Sequence, residues 1–77
     1  MHIEVVLHSA YREKLLPEAH GQATIELAAG STVGDALAHL SIPPEALCAV
    51  NGRVERDRGR LLREGDQVEV FARAGGG

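Results

Sequence analysis

The stretch Gly65-Asp66-Gln67-Val68-Glu69-Val70-Phe71-Ala72-Arg73 decides the fold. Gly65-Asp66 reads as a turn. After it Val68, Val70 and Ala72 alternate with Gln67, Glu69, Phe71 and Arg73, the period of two that marks a half-buried strand. The same period stands at the other end, where Ile3, Val5 and Leu7 alternate with His2, Glu4, Val6 and His8. Working inward from these two strands predicts the order β-β-α-β-β-β, a single mixed sheet with one helix on one face.

Ser9 to Gln22 is too long for a tight hairpin. Tyr11 and Leu15 stand four apart within it, which suits a short helical turn ahead of Pro17. Ala23 to Ala28 alternates again and reads as a second strand, antiparallel to the first. Thr32 is placed to cap a helix, with Asp35 three residues on at the positive end of the helix dipole. Val33, Ala36, Leu37 and Leu40 fall on one stripe facing the core. Gly34 weakens the first turn by up to about 1 kcal/mol relative to alanine, and Ser41-Ile42-Pro43-Pro44 ends the helix. Leu47 to Val50 is a short apolar strand running into Asn51-Gly52, the strongest local hairpin signal, with Arg53 to Glu55 returning. Arg56 to Asp66 is mostly charged, anchored by Leu61-Leu62.

The chain is 77 residues long and carries a net charge of −3, so it has room for one small core. That core must come from nine Leu, seven Val and three Ile padded by eleven Ala, because aromatics are only 3%. The acidic balance argues against nucleic-acid binding, which needs Lys and Arg against phosphates. The longest apolar run, Ala46 to Val50, cannot span a bilayer, and the amino end lacks the pattern of a secretory signal. A single cysteine excludes an internal disulfide and any zinc site built on paired thiolates. A cytoplasmic domain handled by other proteins, with no bound cofactor, is the expectation.

The sequence finishes Ala74-Gly75-Gly76-Gly77. Three glycines in a row have a chance of order 10⁻³ to 10⁻⁴ at average usage. One reading is a frayed or engineered end. The other has a mechanism: without Cβ atoms the backbone is thin enough to thread a narrow channel, extends about 10 Å, and leaves a terminal carboxylate open on every side. A carboxylate becomes an electrophile only when activated, most simply as an acyl-adenylate from ATP. The chain has neither a G-x-x-x-x-G-K-[ST] phosphate cradle nor a G-x-G-x-x-G after a strand, so a partner must perform that step. Residues 1–74 are expected to form the domain and residues 75–77 a flexible tail.

Gly65-Asp66-Gln67-Val68-Glu69-Val70-Phe71 followed by Gly76-Gly77, supported by Gly30-Ser31-Thr32-Val33-Gly34-Asp35-Ala36-Leu37 and Val50-Asn51-Gly52, resembles the sulfur-carrier proteins of the ubiquitin-like β-grasp group, the MoaD and ThiS types. The resemblance covers essentially the whole chain. It implies an α+β, ubiquitin-like β-grasp fold and a carrier rather than an enzyme. A ubiquitin-activator-type enzyme joins AMP from ATP to the terminal glycine, here Gly77 beside Gly76, and a sulfur donor then replaces the AMP. The resulting thiocarboxylate delivers sulfur in cofactor biosynthesis.

Gly75 is an extra glycine, which leaves open whether Gly77 works as it stands or is trimmed first. The Pro-Pro that usually follows the Phe in the molybdopterin branch is replaced by Ala72-Arg73. The short link from helix to third strand suits the thiazole branch, whereas the Ser9–Gln22 connection, with Tyr11-Arg12-Glu13, suits the molybdopterin branch, which is favoured here. That branch implies a larger synthase subunit as a further partner. Two alternatives remain: a ubiquitin-like modifier joined through Gly77 to lysines, and an interaction module with an inert tail.

Phe71 falls on the outward face of the last strand. It either covers the Ser9–Gln22 loop, against Tyr11, or anchors the activating enzyme together with Arg73 and Gly75. Cys48 reads as a small buried hydrophobe. His2 and His8 share a strand face with Glu4 but stand ~20 Å apart along an extended chain, too far for one metal ion. With His20 and His39 they read as solvated. The arginines at 53, 56, 58, 60 and 63 interleave with acids, as in a solvated turn, or form a steering patch for an acidic partner.

Overall fold

The computed structural model describes residues 1–72. Among them are five strands and one α-helix: β1 (His2–Leu7), β2 (Gln22–Glu26), α1 (Val33–His39), β3 (Leu47–Val50), β4 (Arg53–Val54) and β5 (Gln67–Phe71). The sheet order is β2-β1-β5-β3-β4. β1 pairs parallel with β5, and every other neighbouring pair is antiparallel. The sheet is therefore mixed, as the alternation at the two ends predicts.

One face of β1, β3 and β5 is dry. Ile3, Val5 and Leu7 of β1, Val68 and Val70 of β5, and Cys48 and Val50 of β3 are all buried against Val33, Ala36, Leu37 and Leu40 of the helix. Leu62 anchors the long charged connection in this core, while Leu61 is 63% exposed, so only one residue of that pair serves as the anchor. β2 starts one residue earlier than its alternation suggests and stops at Glu26, with Leu27 turning into the core beyond it. The boundary between residues 74 and 75 lies outside the described residues.

The helix ends are built as local chemistry dictates. The Thr32 hydroxyl accepts from the Asp35 backbone N–H at 3.2 Å, and the Asp35 carboxylate accepts from the Thr32 N–H at 2.9 Å, a reciprocal capping box. The carboxyl end differs from the proline-driven stop. The Ser41 N–H donates to the Ala38 carbonyl and the Ile42 N–H to the Leu37 carbonyl, with Ser41 at φ +57°. This is a Schellman motif that closes the helix before either proline is reached, with buried Ile42 as its apolar contact. At the hairpin Asn51 and Gly52 have φ of +52° and +86°, as a type I′ turn demands.

Gly34 has a reason that propensity does not show. Its N–H donates to the Arg58 carbonyl at 2.9 Å, and a Cβ there would sit 3.2 Å from that same oxygen. The helix start and the 55–60 loop are in contact, and glycine makes the approach possible.

The solvated-turn reading fails at Arg58. Its guanidinium donates to the carbonyls of Pro44, Ala46 and Glu55 and lies against the Cys48 sulfur at 2.7 Å. β4 consequently stops at Val54, because the Glu55 carbonyl is turned toward Arg58 and the Cys48 thiol. Arg60 pairs with Glu55 at 3.1 Å. Arg53, Arg56 and Arg63 are exposed, in keeping with a solvated turn. Arg58 thus ties the entry of β3 to the exit of β4. Arg58→Ala should lower unfolding free energy by about 1–3 kcal/mol, because carbonyls lose their donor. Arg58→Lys should recover only part of it, since an ammonium cannot span the same fork. Urea denaturation of the two variants beside the native protein measures both effects.

Candidate functional site

The parallel and antiparallel registers place β5 in the middle of the sheet, with its carboxyl end beside the ends of β1 and β3. Leu7 stands opposite Val70 on one side, and Leu47 stands opposite Phe71 on the other. Side chains one residue out of phase with the core occupy the open face. Val6, His8, Leu47, Ala49, Val54, Glu69 and Phe71 therefore share the face away from the helix. Leu47 is 40% exposed and Val54 59%, giving an apolar strip that runs to the end of β5.

Phe71 sits at the end of that strip, half-buried. Its stacked aromatic partner is not Tyr11, which packs against the core. The His8 imidazole lies flat on the phenyl ring, with centroids 4.6 Å apart and planes 3° from parallel. His8 Nε2 is 3.0 Å from Glu69 Oε2. His8 is therefore a built-in part of the open face and not a solvated histidine. His20 and His39 are exposed, and the largely exposed His2 reaches Glu64, at 3.2 Å, and Glu26, at 3.9 Å.

Leu47 and His8 are the site residues that sequence reading passes over. Leu47 was legible in principle, since it is out of phase with Cys48 in a four-residue strand. His8 was not, because its partners lie more than sixty positions away. Cys48 is fully buried, as expected for a small hydrophobe. Ala72 is half-buried. Arg73, Gly75, Gly76 and Gly77 lie outside the described residues. Among the described residues, no group of three or more His, Cys, Asp or Glu side chains is placed to hold a metal ion. No helix there is long and apolar enough to cross a membrane.

The ThiS family profile matches residues 11–77. The chain belongs to the ThiS family. No curated protein sequence matches it. Among solved structures, SAMP1 from Haloferax volcanii is similar over 100% of both chains at 19% identity, with a TM-score of 0.77. A protein assigned as molybdopterin converting factor subunit 1 from Pyrococcus furiosus covers 94% of this chain and 97% of its own at 22% identity, with a TM-score of 0.75. A chain from the complex of subunits 1 and 2 of molybdopterin-converting factor from Helicobacter pylori covers 100% of both at 17% identity and a TM-score of 0.68. Likeness at these identities establishes the fold, a ubiquitin-like β-grasp.

In this ThiS-family chain the start of β5 is pinned by a polar clasp. Asn51 Nδ2 donates to Asp66 Oδ1 at 3.0 Å, the Arg63 N–H donates to Asp66 Oδ2 at 2.8 Å, and the Gln67 N–H donates to Asn51 Oδ1 at 2.9 Å. The Asn51 amide, followed by the Arg63 backbone N–H and nearby arginine charge, holds the Asp66 carboxyl below the usual aspartate range. The His2 backbone N–H does the same for Glu64. A carboxyl whose folded pKa is depressed stabilises the fold above its unfolded pKa, and that contribution is lost as pH falls through the folded value. Stability should therefore drop as pH is lowered from about 4. Asp66→Asn should be less stable at neutral pH yet show a shallower acid slope, with Glu64 supplying part of what remains. Urea midpoints collected from neutral to acid pH test this.

Proposed function

We propose that this protein is a sulfur carrier whose working group is the carboxylate of Gly77. The observation that carries the reading is the family match, which runs through the glycine run to residue 77. β5 supports it, because a central strand held on both sides makes a firm base from which to present a terminus.

In the proposed reaction a ubiquitin-activator-type enzyme binds the protein and ATP. A Gly77 carboxylate oxygen attacks the α-phosphorus, pyrophosphate leaves, and an acyl-adenylate results. A sulfide-level donor then attacks the carbonyl carbon and AMP leaves, giving a thiocarboxylate. Its sulfur is nucleophilic and is passed to a cofactor precursor. The protein itself binds no cofactor, acts as carrier and co-substrate, and works in the cytoplasm, where the activating partner has ATP. We favour the molybdopterin branch, with a larger synthase subunit as second partner, because solved neighbours include converting-factor subunit 1, in one case within a complex with subunit 2. Phe71, with Arg73 and Gly75 following it, is the proposed docking and threading segment. The open face beside Phe71 offers the apolar area such docking needs.

A second reading has its own support. The Haloferax neighbour is a small archaeal modifier protein. In that reading a lysine amine attacks the carbonyl carbon of the same Gly77 acyl-adenylate and AMP leaves, forming an isopeptide.

Intact mass after incubation with ATP, a sulfide donor and the activating enzyme separates the readings. An oxygen-to-sulfur gain on this chain is the expected result, and removal of Gly76 and Gly77 should abolish it. Covalent adducts to other proteins would favour the modifier, and an unchanged mass would count against both.

Phe71→Ala should leave the fold intact at a cost of roughly 1 kcal/mol. It should lower kcat/KM for adenylation by about tenfold or more, as loss of an interface aromatic does. Adenylation kinetics beside a thermal melt measure the two effects separately.

A further inference from the structure

We propose that His8 is a positioning residue that holds the Phe71 ring ready for the activating enzyme. This rests on the reading that Phe71 docks there. β1 and β5 run parallel, and past the Leu7–Val70 pair the next outward positions are His8 and Phe71. The His8 backbone N–H donates to the Val70 carbonyl at 3.0 Å, which fixes where its side chain starts. Its far end is fixed as well, with Nε2 3.0 Å from Glu69 Oε2. An imidazole tied at both ends is a rigid plate, and the phenyl ring lies on it 4.6 Å away with planes 3° from parallel.

A phenylalanine on an open sheet face is otherwise free to change rotamer, and a partner must stop that motion on binding. Here one ring face is already covered, and Leu47 stands beside it across the β3–β5 register. The imidazole removes the ordering cost before the encounter, so its effect falls on binding and not on the chemistry at the terminus. Glu69 acts through His8 as its brace.

The test uses steady-state adenylation of the full chain by its activating enzyme. His8→Ala should raise KM for this protein by about three- to tenfold while kcat stays within about twofold. His8→Phe restores a flat ring without the Glu69 bond and should return KM most of the way toward the native value. His8→Gln keeps a group that reaches Glu69 but has no ring, and should not. Proton NMR of the free protein checks the stack without any enzyme: the His8 ring protons should carry an upfield ring-current shift that Phe71→Leu removes.

An unchanged KM in His8→Ala beside a raised KM in Phe71→Ala overturns the His8 role alone. Full rescue by His8→Gln also overturns it, by assigning the effect to the hydrogen bond. Native KM in Phe71→Ala overturns the docking reading and the His8 role with it. Thermal melts confirm that each variant is folded before its kinetics are read.

Discussion

The parallel pairing of β1 with β5 is the constraint on which the rest of the molecule depends. Parallel neighbours cannot be joined by a tight turn, so everything from Ser9 to Asp66 is in effect the crossover between them. β5 also supplies the partner for β3, and through β3 for β4. β3 and β4 therefore have no edge to join until residues 67–71 are in place. The polar clasp of Asn51, Asp66 and Gln67 serves this same junction. It ties the hairpin tip to the residue at which β5 begins, and the Asp66 carbonyl accepts from the Glu4 N–H of β1 at 2.9 Å. One aspartate thus touches β1 and the turn that follows β3.

Much of this was legible in the sequence because its causes are local. Alternation in Ile3–Val5–Leu7 and Val68–Val70 needs only a period of two. Thr32 and Asp35 identify a helix start within four residues. Asn51-Gly52 specifies a turn by its tolerance of positive φ. What escaped has non-local causes. Arg58 reads as one more charge in a charged loop until the fold brings three backbone carbonyls and a sulfur within its reach. Gly34 reads as a weak helix residue until the Arg58 carbonyl is found against it. Ser41 takes the left-handed turn usually given to glycine, so from the sequence the prolines after it read as the helix stop.

The candidate site divides along the same line. Phe71 was placed on the outward face by periodicity alone, and there it lies. Its surroundings were not recoverable, because His8 and Leu47 meet it only through a parallel and an antiparallel register set elsewhere. A histidine in an alternating strand shows no sign that it will lie flat on an aromatic ring. Family membership and the β-grasp fold agree with the resemblance drawn from the Gly65–Phe71 segment and the glycine run, which shows how much of the identity is concentrated in the last thirteen residues.

β5 is gripped along its length by four register partners from β1 and four from β3. Tension applied to the chain past Phe71, along the strand axis, loads both ladders in shear, so their hydrogen bonds share the force instead of breaking in succession as at a peeling edge. A partner hauling the carboxyl end into a tunnel would pull on a strand held along both of its edges. The short β4 or the outermost β2 in that position would unzip under the same load.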